Sequence, residues 1–171
     1  MSCDFVSANR VISQLESSVN TSTPSQSYSF IPSNTANTQN LTLTTGSTLS
    51  GTLKWIGGCI APNGKIYGIP FNATSVCVID PVLKTIDTTS VVAVSGTTLS
   101  SGGKWAGGFL AANGKIYGIP YNAASVCVID PVAGTIDSSV VTVNTGSTLS
   151  GNSKWQGGAL SSNGKIYGVP R

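Results

Sequence analysis

Residues 104–137 read K-W-A-G-G-F-L-A-A-N-G-K-I-Y-G-I-P-Y-N-A-A-S-V-C-V-I-D-P-V-A-G-T-I-D. Four short apolar runs alternate here with turn signals. The first, about Lys104 to Ala111, ends at Asn113-Gly114, a pair that tolerates positive φ and marks a hairpin. The second, about Lys115 to Tyr121, places Ile116, Gly118 and Pro120 on one face and Lys115, Tyr117 and Ile119 on the other. The third, Ser125 to Asp130, is stopped by the turn-forming pair Asp130-Pro131. The fourth, about Thr135 to Asn144, gains β-branched packing from Ile136, Val140 and Val141. The pattern predicts a four-stranded antiparallel sheet.

The same pattern recurs on either side. Trp55, Trp105 and Trp155 are spaced by 50 residues, as are Tyr67, Tyr117 and Tyr167, and Pro70, Pro120 and Pro170. Each unit contains K-W-x-G-G and N-G-K-I-Y-G-(I/V)-P, and each is preceded by a Gly-(Ser/Thr)-Thr-Leu-Ser loop. A fixed period of this length indicates a repeat architecture in which each unit is one small sheet.

Composition narrows the function classes. The chain has 171 residues, of which 40% are hydrophobic and only 9% charged. It is long enough for one domain with a core and too apolar for a solvated disordered tail. Nine basic against six acidic residues give +3, unclustered, which speaks against a nucleic-acid partner. No apolar run reaches the roughly 18 residues of a membrane span, and Met1–Val6 has no signal-peptide character, so neither membrane nor secretion is expected. A virion or cytoplasmic assembly is the favoured setting. His is absent, which removes the commonest general base and metal ligand. The repeat-mate carboxylates Asp80 with Asp130, and Asp87 with Asp137, share similar environments, unlike an acid/base pair. No enzyme activity, catalytic residue, metal or cofactor is therefore expected. Cys77 and Cys127 sit in Val-Cys-Val-Ile-Asp runs and read as reduced core residues.

With Asn113 to Thr135 on the page, the unit resembles β-propeller repeats of the YVTN and kelch-like kinds. Those are four-stranded blades arranged around an axis. The resemblance implies about three blades in this chain and a ring completed by oligomerisation; a β-trefoil or β-prism, each also threefold, is the alternative. Low charge, Ser/Thr/Gly-rich loops, the missing His and the near-copy repeats suit a structural or protein–protein interaction module, such as a virion or particle-surface accessory protein. The Gly57-Gly58, Gly107-Gly108 and Gly157-Gly158 pairs then mark close backbone approach in the innermost strands.

The domain reading follows. Residues 1–26 form a short helix and linker, a candidate anchor for other structural proteins. Residues 27–171 form the repeat domain: half-blade 27–50, blade 51–100, blade 101–150 and half-blade 151–171. Tyr28–Pro32 lines up with Cys77–Pro81, and Leu41–Gly46 with Val91–Gly96, so 27–45 reads as degenerate third and fourth strands. Two chains sharing half-blades would close a six-bladed C2 ring and cover two sheet edges. A fragment of a longer repeat array is also compatible with the pattern. The lysines preceding strands, Lys54, Lys104 and Lys154 among them, read as solvated edge guards.

Ligand-binding candidates are the repeated aromatics Trp55, Trp105, Trp155, Tyr67, Tyr117 and Tyr167, with Asn72 and Asn122 beside them. Aromatic faces near amide side chains would suit a glycan in a lectin-like module. The competing reading of the same residues is sheet-to-sheet core.

Overall fold

A computed structural model describes residues 41–139, 141 and 149–171. The fold is all-β, as the repeat pattern requires, with twelve strands among those residues. These are β1 (Thr42–Leu43), β2 (Trp55–Ile60), β3 (Ile66–Pro70), β4 (Cys77–Asp80), β5 (Thr85–Asp87), β6 (Val92–Ala93), β7 (Trp105–Leu110), β8 (Ile116–Pro120), β9 (Cys127–Asp130), β10 (Thr135–Asp137), β11 (Trp155–Leu160) and β12 (Ile166–Pro170). They form three sheets with orders β1-β5-β4-β3-β2, β6-β10-β9-β8-β7 and β11-β12.

The antiparallel core of each sheet follows from its turns. At the hairpins, Asn63, Asn113 and Asn163 accept a hydrogen bond from the backbone two residues on, and the following glycines sit at φ 77–78°. Asp80 and Asp130 cap the next turn. The Asp80 Oδ1 accepts from the Val82 and Leu83 amides at 3.0 and 2.9 Å, and Asp130 repeats this at 3.0 Å with Val132 and Ala133. Their second oxygens pair with Lys65 at 3.3 Å and Lys115 at 3.0 Å.

The expected fourth strand, continuous and antiparallel, is corrected. In the first full unit it breaks after Asp87, whose Oδ1 accepts from Thr89 N, Thr89 Oγ1 and Ser90 N at 2.7, 2.8 and 3.2 Å. That cap turns the chain out of its own sheet. Val92–Ala93 then joins the next sheet, parallel to β10, with Val92 N and Val94 N donating to Gly134 O and Ile136 O. The first two sheets are therefore five-stranded and mixed, and the first full unit lends its last strand to the second sheet. Asp137 makes the same cap to Ser139, whereas Val140 and residues 142–148 lie outside the described residues.

The half-unit reading is corrected at its second piece. Thr42–Leu43 does not join the third unit; it is the outermost strand of the first sheet, parallel to Thr85–Ile86. Thr42 N and Thr44 N donate to Lys84 O and Ile86 O at 2.8 and 2.9 Å, which ties the strand to that sheet. Tyr28–Pro32 and the 1–26 helix and linker lie outside the described residues.

The sheets stack face to face through their first strands. β2, β7 and β11 each carry a bulge between Trp and the second Gly of the G-G pair. The first Gly of each pair is at positive φ, 75° at Gly57 and 84° at Gly107. A Cβ on Gly57 would lie 3.0 Å from the Cα of Gly107, and one on Gly107 3.3 Å from the Cα of Gly157. Between the first two sheets, Tyr67, Ile69 and Val76 pack against Trp105, Ile116, Ile129 and Ile136. Cys77 and Cys127 are free and buried, as expected. Cys59 is disulfide-bonded, and Cys3 lies outside the described residues.

Two predictions follow. Gly107→Ala sets a side chain against the next strand's backbone at a φ that L-residues resist, and should cost about 1–3 kcal/mol, measured by urea denaturation. The carboxylate caps predict acid sensitivity. Partial burial pushes the Asp87 carboxyl up, but hydrogen bonds from Thr89 and Ser90 outweigh it and hold the group at about 2. Amide hydrogen bonds and paired lysines also lower Asp80 and Asp130. A folded-state pKa below the unfolded value contributes stability above pH about 4, which is lost as pH falls toward 2. The urea midpoint should be flat from pH 7 to 5 and fall steeply between pH 4 and 2.

Candidate interaction surface on the terminal sheets

The residues singled out from the sequence are mostly engaged in joining the repeat together. Trp105 is 1% exposed and covers Gly118, and its indole N–H donates to Ser125 O at 2.7 Å. Trp55 makes the same bond to Ser75 O at 2.8 Å. Tyr67, Tyr117 and Tyr167 each accept at their hydroxyl from the hairpin Asn four residues earlier. Asn72 and Asn122 reach across the step between units. They act as clamps between units: Asn72 Oδ1 accepts from Gly103 N, and Asn122 Oδ1 from Ser153 N, both at 2.8 Å.

Lys104 shows what the sequence reading missed. It is 1% exposed, which corrects its assignment as an edge guard. Its ammonium donates to Phe71 O, Ala73 O and Ser101 O at 3.0, 2.8 and 2.7 Å, bridging two units. Burial pulls its pKa below the ordinary lysine value. The signal available was K-W at a sheet-to-sheet step, but nothing in one unit's sequence tells where its neighbour's carbonyls fall. Lys154 and Lys54 each show one carbonyl bond, to Gly151 O at 2.7 Å and Thr48 O at 3.2 Å.

The capped aspartates are held as anions, far from the pKa a general acid needs near neutrality. Burial pushes the Cys77 thiol up to about 11 and that of Cys127 up to about 12, which makes both poor nucleophiles.

What remains open is the outer surface of the array. Equivalent positions change from sealed to exposed along the repeat. Tyr67 is 4% exposed and Tyr167 53%; Ile69 is 0%, Ile119 5% and Val169 54%. The opposite face shows the converse. Trp105, Ile116 and Ile129 of the second sheet are fully buried, whereas Trp55, Ile66 and Ile79 of the first are half-buried. The third sheet thus exposes the face that the first sheet buries, and the first exposes the face that the second buries. Among the described residues the array does not close on itself, since a Cβ on Gly157 would meet nothing within 4 Å. Beside the first strands lies a hollow of about 460 Å³, lined by Ile56, Gly57, Ala106, Gly107, Gln156 and Gly157 among others.

Comparison with known proteins finds no matching family model, no matching curated protein and no matching solved structure. The surface is therefore read from its own geometry.

Removing the Lys104 ammonium would strand buried carbonyls between two units. Lys104→Ala should destabilise by about 2–4 kcal/mol, whereas Lys154→Ala should cost under about 1 kcal/mol. Urea denaturation of the two variants side by side checks the difference.

Proposed function

We propose that this chain is a non-catalytic structural and interaction module whose three sheets are a sector of a β-propeller. Two copies join head to tail, the third sheet of each against the first sheet of the other, as a six-bladed C2 ring. The observation that carries the reading is the exposure series: Tyr167 and Val169 on one terminal face, and Trp55, Ile66 and Ile79 on the other, repeat a contact already sealed inside the chain. A surface that reproduces half of an internal interface is complementary to the other half, so each chain carries both halves. Such contacts are heterologous, and two of them close a ring if the rotation per sheet permits. Close approach of the first strands around a common hollow supports the propeller geometry over a trefoil or prism. Low charge and Ser/Thr/Gly-rich loops suit a component of a particle surface or virion, with binding to other structural proteins rather than turnover.

Size-exclusion chromatography with light scattering tests the reading. The chain should elute at twice its 17.4 kDa mass. Tyr167→Asp with Val169→Asp places charge on the terminal face and should weaken association by about 2 kcal/mol or more, some thirty-fold, with the β circular dichroism unchanged. A wild-type monomer across the micromolar range, or a double variant that still dimerises as wild type, would overturn it.

A further inference from the structure

The third sheet borders a socket that the described residues leave open, and the repeat pattern points to an occupant. Between the second and third sheets lies a cavity of about 560 Å³ whose lining includes Tyr117, Ile119, Val126, Leu149, Trp155 and Ile166. Shifted back by 50 residues these are Tyr67, Ile69, Val76, Leu99, Trp105 and Ile116, which belong to the sealed core between the first two sheets. That core is completed by Cys127, Ile129 and Ile136, from β9 and β10 of the second sheet. The third sheet shows only β11 and β12 among the described residues, so the cavity marks the place of the side chains that a third strand would bring. The edge of β12 away from β11, which pairs with no strand among the described residues, offers the backbone groups for it.

The chain path identifies the occupant. β5 lies in the first sheet, and the strand that follows it, β6, lies in the second. The chain thus steps forward one sheet between a unit's Thr-Ile-Asp strand and its last strand. β1 is such a last strand, placed in the first sheet. By the same step, the residues before it belong to a sheet preceding the first. In the head-to-tail reading, that sheet is the third sheet of a second copy. We propose that residues 28–32 of one copy add to β12 of the other and fill its cavity, a reciprocal strand exchange that rests on the head-to-tail reading.

The register follows from β3 and β4, where Gly68, Tyr67 and Ile66 pair with Cys77, Val78 and Ile79. Transferred to the third sheet, Gly168 faces Tyr28, Tyr167 faces Ser29, and Ile166 faces Phe30. Tyr28 and Phe30 then take the positions of Cys127 and Ile129, and larger side chains occupy the cavity. Ile31 stands where the full units have Asp80 and Asp130, so this strand makes no ion pair with Lys165.

Cysteine cross-linking tests the exchange. Ser29→Cys and Tyr167→Cys are made in separate, differently tagged copies of the 171-residue chain, refolded together and mildly oxidised. A covalent species carrying both tags is expected from the mixture, above any background from the parent chain, with a 29–167 linkage by peptide mass spectrometry. The double variant in one chain should give linked dimers; an intrachain 29–167 bond at monomer mass would overturn the second copy as the source of the strand. A dimer by light scattering with no 29–167 linkage would overturn the exchange and leave the head-to-tail reading standing, whereas a monomer with no linkage would sink both. As a second measurement, Phe30→Ser should shift the dimer midpoint in a dilution series at least ten-fold upward with the β circular dichroism retained, and an unchanged midpoint would count against the exchange.

Discussion

Everything in this array hangs on how closely the first strands of successive sheets approach. At Gly57 and Gly107 the backbone of the next strand occupies the place where a side chain would begin, so the spacing is that of backbone against backbone. A side chain at either position would wedge the sheets apart at their first strands. The positive φ at both glycines comes from the bulge that aims the preceding Trp over its own sheet, so the same feature that removes the side chain also sets the indole over Gly68 or Gly118. With the sheets held this close on one side, the large apolar residues fall farther along the strands, where Ile69, Trp105, Ile129 and Ile136 fill the interval.

The second constraint is satisfaction of polar groups at each step between sheets. Stacked sheets leave strand ends and connecting loops without ladder partners, and a buried unpaired amide or carbonyl is costly. Here the connections supply their own partners. Asn72 and Asn122 accept from the next unit's backbone, Lys104 gathers three carbonyls, and the crossing strand β6 pairs with β10. The lending of a strand to the next sheet also couples the units mechanically, since one sheet cannot separate from its neighbour without losing a strand. Cooperativity between nearest neighbours is the usual behaviour of repeat proteins.

A repeat of this kind has no natural stopping point. The second sheet is covered on both faces by its neighbours, whereas each terminal sheet leaves an apolar face open among the described residues. This is why Tyr167 and Val169 are exposed while Tyr67 and Ile69, chemically almost the same residues in the same local fold, are buried. The candidate surface is thus a consequence of position within the array.

Period, strand number up to the Thr-Ile-Asp run, hairpin and aspartate turns, and the need for small residues in the first strand were all legible in the sequence, because each depends on neighbours within a few residues. Asn113-Gly114 and Asp130-Pro131 carry their conformations locally. Fates that depend on the adjoining unit were not legible. Lys104 reads as a solvated charge until the carbonyls of Phe71 and Ala73 are placed beside it, and Asn72 reads as a ligand group until Gly103 meets it. The Val-rich run after Asp87 has the composition of a strand, but its sheet is decided by which edge it reaches after the Asp87 cap turns the chain. Local hydrogen bonding determined the elements; the geometry of stacking, which joins residues some 30 to 50 positions apart, decided their partners and which faces stay open.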